Sequence, residues 1–342
     1  MDRIIGQSPN VIVVTQVDEP KPLPHEVKVS TLVAGICGSD LHSTAGLHPF
    51  VPLPYIPGHE VVGTVTEIGS EVNGFSVGDR VTVEPTLPCW KCKMCTTDRQ
   101  NLCENLTFFG CGYAQGGMAD FFTIPANRLH KVPADFSDER ASLIEPLSTP
   151  VHAVRLSGGG ALDLSGKAVV IIGCGTIGLL TLLVARHANA KMIVMTDLLE
   201  SKRARAKRLG ADVVLDAGNK EVVSEVRAAL GESADIVFDC VALQPTVDQA
   251  VALADKAGTV MIVGVPEKDV RVPLAVIQDH QICIQGSATY LPIDYQDSIK
   301  ILQGSLVDAD EIVTSIYPKD QVTEAFASAR SGDQVKVLLR FH

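Results

Sequence analysis

Basic charge, aromatic residues and unbroken apolar runs are all scarce in this chain. Lys and Arg number 29 against 40 Asp and Glu in 342 residues, a formal charge of −11. A surface of that sign repels a phosphate backbone, and nucleic-acid binding needs clustered basic residues, so no nucleic acid is expected as a partner. Aromatics make up only 5% of the chain, yet hydrophobic residues reach 46% and charged ones 20%, the balance of a packed soluble protein rather than a disordered one. Residues 1–10 lack the basic, then apolar, then small-residue order of a secretory leader, and a cytoplasmic location is expected. The most lipid-like window, residues 168–185, is broken by Gly173, Gly175, Gly178, Thr176 and Thr181, so no membrane is expected either. Internal repeats and low-complexity tracts are absent.

A single core rarely grows beyond about 250–300 residues, which makes two domains the expectation for 342. The first 150 residues carry short β-branched runs at 11–14, 27–31, 61–68 and 81–83 with turn residues between them, the pattern of an irregular antiparallel β domain. From Gly166 the grammar changes. Strands at 168–172, 192–196 and 213–215 alternate with helices at 178–188 and 201–209, and further strands at 236–239, 259–263 and 282–286 bring the total to about six. Such alternation predicts a doubly wound parallel sheet of Rossmann type, an α/β fold, with the tail after it rejoining the first domain.

Gly173-Cys174-Gly175-Thr176-Ile177-Gly178 follows the first of these strands and opens a helix. This context supplies a tight turn, close approach to a pyrophosphate and N–H groups facing negative charge. Asp197 ends the next strand, where a carboxylate accepts from both ribose hydroxyls and repels a 2′-phosphate, so NAD is favoured over NADP; Lys202 is a further candidate at the ribose. The basic run from Lys202 to Arg208 is expected to be a solvated helix face, with Arg203 leaving room for some NADP use.

Nine cysteines in a chain expected to be reduced point to metal rather than disulfides. Cys89, Cys92, Cys95 and Cys103 can close a tetrahedral shell around zinc with no open position, a structural site. An iron–sulfur cluster of the ferredoxin kind needs a shorter third gap and a following proline, and here Glu104 follows. A dispersed second set comprises Cys37-Gly38-Ser39-Asp40-Leu41-His42, Gly58-His59-Glu60 and Glu145-Pro146-Leu147-Ser148. One thiolate, one imidazole and one or two carboxylates hold zinc while leaving a place for water or an alcohol. Spacing alone leaves Cys37 equally a small buried residue, and His59 equally a core or surface histidine.

Taken in order, the Cys37–His42 and Gly58–Gly63 segments, the four-cysteine lobe, the glycine motif and Asp197 resemble the zinc-dependent medium-chain alcohol dehydrogenases over essentially the whole chain. Residues 143–148 look like the sorbitol (polyol) dehydrogenase branch, whereas related threonine dehydrogenases generally carry an Asp-Pro-Phe version. The resemblance implies a GroES-like β-rich catalytic domain (1–150 and 287–342, zinc lobe about 85–110) and a Rossmann domain (151–286), with the cleft and zinc between them. It implies catalytic zinc ligands Cys37 and His59, Glu60 on the metal or just behind it, and Glu145 as fourth ligand or holder of the zinc-bound water. Asp40 then supports the ligands, Ser39 and His42 form a proton path, and a homotetramer is expected. Two departures bear on substrate: Ser43 stands where sorbitol dehydrogenases place a tyrosine, and Thr289-Tyr290 replaces their Arg-Tyr pair. Unmatched buried polar groups cost roughly 1–3 kcal/mol each, which disfavours sorbitol itself.

The chemistry has one demanding step. Hydride leaves a carbinol carbon only as its oxygen gives up a proton held with a pKa near 16; a divalent ion that lowers bound water to about 7 supplies roughly nine units, or about 12 kcal/mol. The expected activity is oxidation of a small secondary alcohol (polyol, diol or sugar-derived) by NAD+. Alternatives are a threonine 3-dehydrogenase-like or aldonate 5-dehydrogenase activity, and a non-catalytic NAD-binding protein.

Overall fold

The computed structural model describes residues 1–48, 51–266, 268–304 and 311–342, which separate into two compact units. One comprises Met1–Glu145, Leu291–Leu302 and the described residues from 311 onward; the other comprises Pro146–Tyr290 with residues 303–304. The chain changes unit after Glu145 and again after Tyr290, a few residues from the expected 150 and 286.

The first unit opens with a hairpin of β1 (Asp2–Ser8) and β2 (Val11–Gln16), then β3 (Glu26–Ile36), α1 (Gly38–Ala45), β4 (Glu60–Ile68) and β5 (Arg80–Val83). A second hairpin, β6 (Thr86–Leu87) and β7 (Thr107–Phe108), carries the cysteine loop, followed by β8 (Phe121–Pro125), β9 (Leu129–Lys131), α2 (Asp138–Ala141) and the first two residues of α3 (Ile144–Ser157), the rest of which belongs to the second unit. The second unit runs β10 (Ala168–Ile172), α4 (Thr176–His187), β11 (Met192–Asp197), α5 (Glu200–Arg208), β12 (Val213–Asp216), α6 (Val222–Leu230), β13 (Ala234–Asp239), α7 (Gln244–Leu253), β14 (Ala254–Ile262), α8 (Leu274–His280) and β15 (Cys283–Gly286). After α9 (Pro292–Gly304), β16 (Val313–Pro318), α10 (Val322–Arg330) and β17 (Lys336–Arg340) complete the first unit.

The larger sheet of the first unit has seven strands, β16-β17-β3-β4-β5-β9 with β8 also on β3. Its ladders are antiparallel as expected, except that β16 and β17 run parallel, because α10 crosses between them. β3 lies at the centre, paired with three strands, and its side chains are buried on both faces. Val27, Val29, Val61, Val65, Phe109, Phe122, Phe326 and Leu339 belong to the core beneath it.

The second sheet is six parallel strands ordered β12-β11-β10-β13-β14-β15. Strand order reverses beside β10, so the carboxyl ends of β10 and β13 mark the crevice where such sheets bind ligands. All five residues of β10 are buried, which accounts for its uninterrupted apolar run. Two bounds differ from expectation. α4 starts at Thr176 because Gly175 takes the N-cap, and β14 starts at Ala254 because Ala257 adopts φ of 60°, keeping the bend within the strand. Among the described residues, no helix is long and apolar enough to cross a membrane.

Candidate active site

Three strand ends converge in the first unit. β3 pairs with β4 so that Gly35 faces Glu60, and with β17 so that Ile36 faces Val337. Cys37 follows β3 directly and caps α1, whose Asp40 accepts its backbone N–H at 3.0 Å. The hydroxyls of Thr44 and Tyr55 donate to the Asp40 carbonyl at 2.7 and 3.0 Å, holding the helix start in place. Ser39 and His42 are three residues apart on α1, hence on one face, and Ser39 Oγ lies 3.4 Å from His59 Nε2.

Ligand atoms of Cys37, His59 and Glu60 lie within 4.8 Å of one another. A tetrahedral metal with zinc-like bond lengths sets its donors about 3.3–3.8 Å apart, and a trio gathered within 4.8 Å is one candidate donor set for such an ion. On the far side of the ring, His59 Nδ1 and Asp40 Oδ1 are 3.9 Å apart, both buried and without a hydrogen-bond partner. That is the arrangement in which a metal-bound imidazole is oriented by a carboxylate at its other nitrogen. Burial opposes charge on His59, yet Asp40 and Cys37 outweigh it and hold its pKa well above the ordinary value. Burial likewise lifts Asp40 to about 6. The pocket favours a positive charge, and its donor set suits zinc.

Glu60 does not face the trio alone. Lys336 Nζ donates to both of its carboxylate oxygens and to the Ile36 carbonyl at 3.2 Å. Gly35 makes room for this, since a Cβ there would sit 2.0 Å from Glu60 Oε2. Glu145, in the first turn of α3, is buried and its charge acts on His59 and Lys336, but it is not in the ligand-distance group. Sequence reasoning missed Lys336, whose only signal is a lysine inside the apolar run of β17.

The four-cysteine loop forms a second donor group in the same unit. Cys92 Sγ is 3.5 Å from Cys95 Sγ and 3.9 Å from Cys103 Sγ, bracketing the spacing of about 3.8 Å that four sulfurs take around zinc. Backbone N–H groups of Cys89 and Asn105 donate to Cys103 Sγ at 3.2 and 3.3 Å, and the Lys91 and Cys92 amides pull Cys89 down to about 6. All nine cysteines are free thiols. Below the lobe, Arg128 pairs with buried Glu84 at 2.7 Å and stacks under Trp90.

In the second unit, Gly173 has φ of 97° and Gly178 approaches its carbonyl so closely that a Cβ would sit 1.8 Å away. Gly175, Thr176 and Ile177 open α4 beyond this turn. Asp197 accepts from the backbone N–H groups of Cys174 at 2.8 Å and Leu199 at 2.9 Å, which fixes its carboxylate beside the glycine turn. Lys202 is half-buried in α5, and its charge reaches Cys174. Arg203, expected on a solvated face, instead donates to the carbonyls of Asp197 and Leu198 at 2.8 and 2.7 Å. Beyond β15, the hydroxyls of Ser287 and Thr289 are buried without partners, and Thr289 holds φ of 47°, an unfavourable conformation for a β-branched residue.

Two family descriptions match the chain: the alcohol dehydrogenase GroES-like domain over residues 23–134 and the zinc-binding dehydrogenase over residues 176–304. Among curated proteins, a sorbitol dehydrogenase of Arabidopsis thaliana is 34% identical, covering 92% of this chain and 88% of its own length. An L-idonate 5-dehydrogenase of Vitis vinifera is 33% identical with the same coverage. Among solved structures, an Escherichia coli oxidoreductase/dehydrogenase of unknown specificity superposes with a TM-score of 0.93 at 30% identity, covering 100% of this chain and 99% of its own.

Proposed function

Because the chain belongs to the zinc-dependent medium-chain alcohol dehydrogenases, we propose that it oxidises a small secondary alcohol, a diol, polyol or sugar-derived alcohol, to a ketone while reducing NAD+. The observation that carries this reading is the convergence of Cys37, His59 and a lysine-held Glu60 in a pocket that favours positive charge. When bound, zinc supplies Lewis acidity to the alcohol oxygen and the nicotinamide supplies the hydride acceptor.

The chain's own residues do the rest. Cys37 and His59 hold the metal, Asp40 orients the His59 ring, and Glu60 stands behind, fixed by Lys336. Glu145, buried and acting electrostatically on His59, would serve as a further ligand or support one. Ser39 Oγ would accept the proton released by the alcohol while passing on its own hydroxyl proton, and His42, one turn further along α1, would return that proton to solvent. Cys89, Cys92, Cys95 and Cys103 clamp a structural zinc. Asp197 receives the adenosine ribose and repels a 2′-phosphate, and Arg203, committed to backbone carbonyls, adds little grip on NADP. A cytoplasmic homotetramer completes the reading, and analytical ultracentrifugation tests the assembly.

A panel of diols, polyols, aldonates and threonine, assayed for NADH formation by zinc-replete protein, tests the substrate class. Turnover of diols or polyols is expected; preference for aldonates or threonine would replace the reading, and silence throughout would leave a nucleotide-binding protein.

A further inference from the structure

We propose that Phe108 is a positioning residue, the contact through which the four-cysteine lobe holds the His59 ring in place. This rests on the reading of His59 as a metal ligand. The lobe is the loop of a hairpin: Leu87, at the end of β6, lies two residues before Cys89, and β7 begins four residues after Cys103. Thr86 pairs with Phe108 across that hairpin and Leu87 with Thr107. A tetrathiolate closed on one ion therefore ties the two short strands together from the loop side. Two-residue strands cannot fix their own register so firmly.

The return strand ends on the active site. The half-buried Phe108 ring meets the His59 ring edge-on, with centroids 5.7 Å apart and planes at 72°. This is the geometry that the quadrupole of one ring and the polar edge of another favour. The next two residues anchor the contact. Phe109 is fully buried, donates its N–H to the Pro85 carbonyl at 2.8 Å and packs on Phe122 at 5.0 Å. Gly110 lies so close to the backbone before the ligand that a Cβ would stand 2.3 Å from Gly58 O and 2.7 Å from His59 N. Residues 108–110 thus brace both the ring and the main chain of His59. Hydrogen-bonded neighbours that orient a metal-bound histidine change metal affinity by about 10- to 100-fold when removed, and an edge-on aromatic contact, worth about 2- to 10-fold, stands at the lower end.

The test uses full-length protein stripped of metal, its four-cysteine site refilled with one equivalent of Zn2+, and then titrated with Co2+ against a chelator. Phe108→Leu should weaken cobalt binding about tenfold and shift its d–d bands, with the zinc content of the lobe and the thermal midpoint unchanged. Phe108→Tyr keeps the ring edge and should retain both affinity and bands. Wild-type affinity and an unshifted spectrum in Phe108→Leu, or in Phe108→Met if the leucine variant does not fold, would overturn the proposal. A wild-type protein with no cobalt–thiolate spectrum would overturn the ligand reading itself, and this proposal with it.

Discussion

Lys336 Nζ lies 2.6 and 2.7 Å from the two carboxylate oxygens of Glu60, and both side chains are enclosed, at 2% and 1% exposure. Burial alone would favour a neutral lysine, yet Glu60 and Cys37 more than compensate and raise its pKa above the ordinary value. A carboxylate engaged on both oxygens by an ammonium is less free to ligate a metal, which supports the proposed place of Glu60 behind the metal.

Removing one partner of such a pair leaves an uncompensated buried charge. Lys336→Met should destabilise the protein by about 3–5 kcal/mol in denaturant unfolding, and Lys336→Met/Glu60→Gln by much less. A double-variant loss equal to the sum of the losses in Lys336→Met and Glu60→Gln would show that the two charges are not coupled.

The cysteine lobe and the Cys37 site should respond differently to damage. Cys103→Ser is expected to reduce zinc from two equivalents to one and to lower the thermal midpoint, with kcat falling less than stability. Lost turnover at unchanged midpoint would reverse the assignment of the two metals.

Asp197 is held by two backbone amides, and the proposed function puts its charge where a 2′-phosphate would go. Asp197→Ala should lower kcat/KM for NAD+ roughly tenfold or more and raise that for NADP+, measured side by side. An unchanged cofactor ratio would remove Asp197 from the ribose site.

Thr289 combines a left-handed backbone with an unpartnered buried hydroxyl. Such conformations cost about 1–3 kcal/mol and persist where function requires them. Thr289→Gly should raise the unfolding midpoint in thermal denaturation; an unchanged or lower midpoint would show that this conformation stores no strain.

The parallel sheet was legible almost strand by strand, because β10, β11 and β13 are buried on both faces and stand out as apolar runs between glycines and polar turns. The four-cysteine site was equally plain, since all its donors lie on one loop. Cys37, His59 and Glu60 became a site only through the family resemblance, because pairing of β3 with β4, not spacing, brings them together. Lys336 carried only the weak signal of a lysine opening the apolar run of β17, and Phe108 carried none. One reaches Glu60 across 276 positions, and the other meets His59 only because a hairpin turns back. The parallel pairing of β16 with β17 also lies beyond local pattern, as it depends on where α10 returns the chain.

The central claim is that an ion gripped by Cys37 and His59 enables the alcohol to lose hydride. Metal content and NADH formation should be followed together as a chelator empties the protein, in wild type and in Cys37→Ala. Activity should vanish with the loss of one of two zinc equivalents and return on adding zinc, and Cys37→Ala should carry one zinc, bind NADH almost normally and turn over nothing. Full turnover by Cys37→Ala, or by wild-type protein with that equivalent removed, would contradict the account.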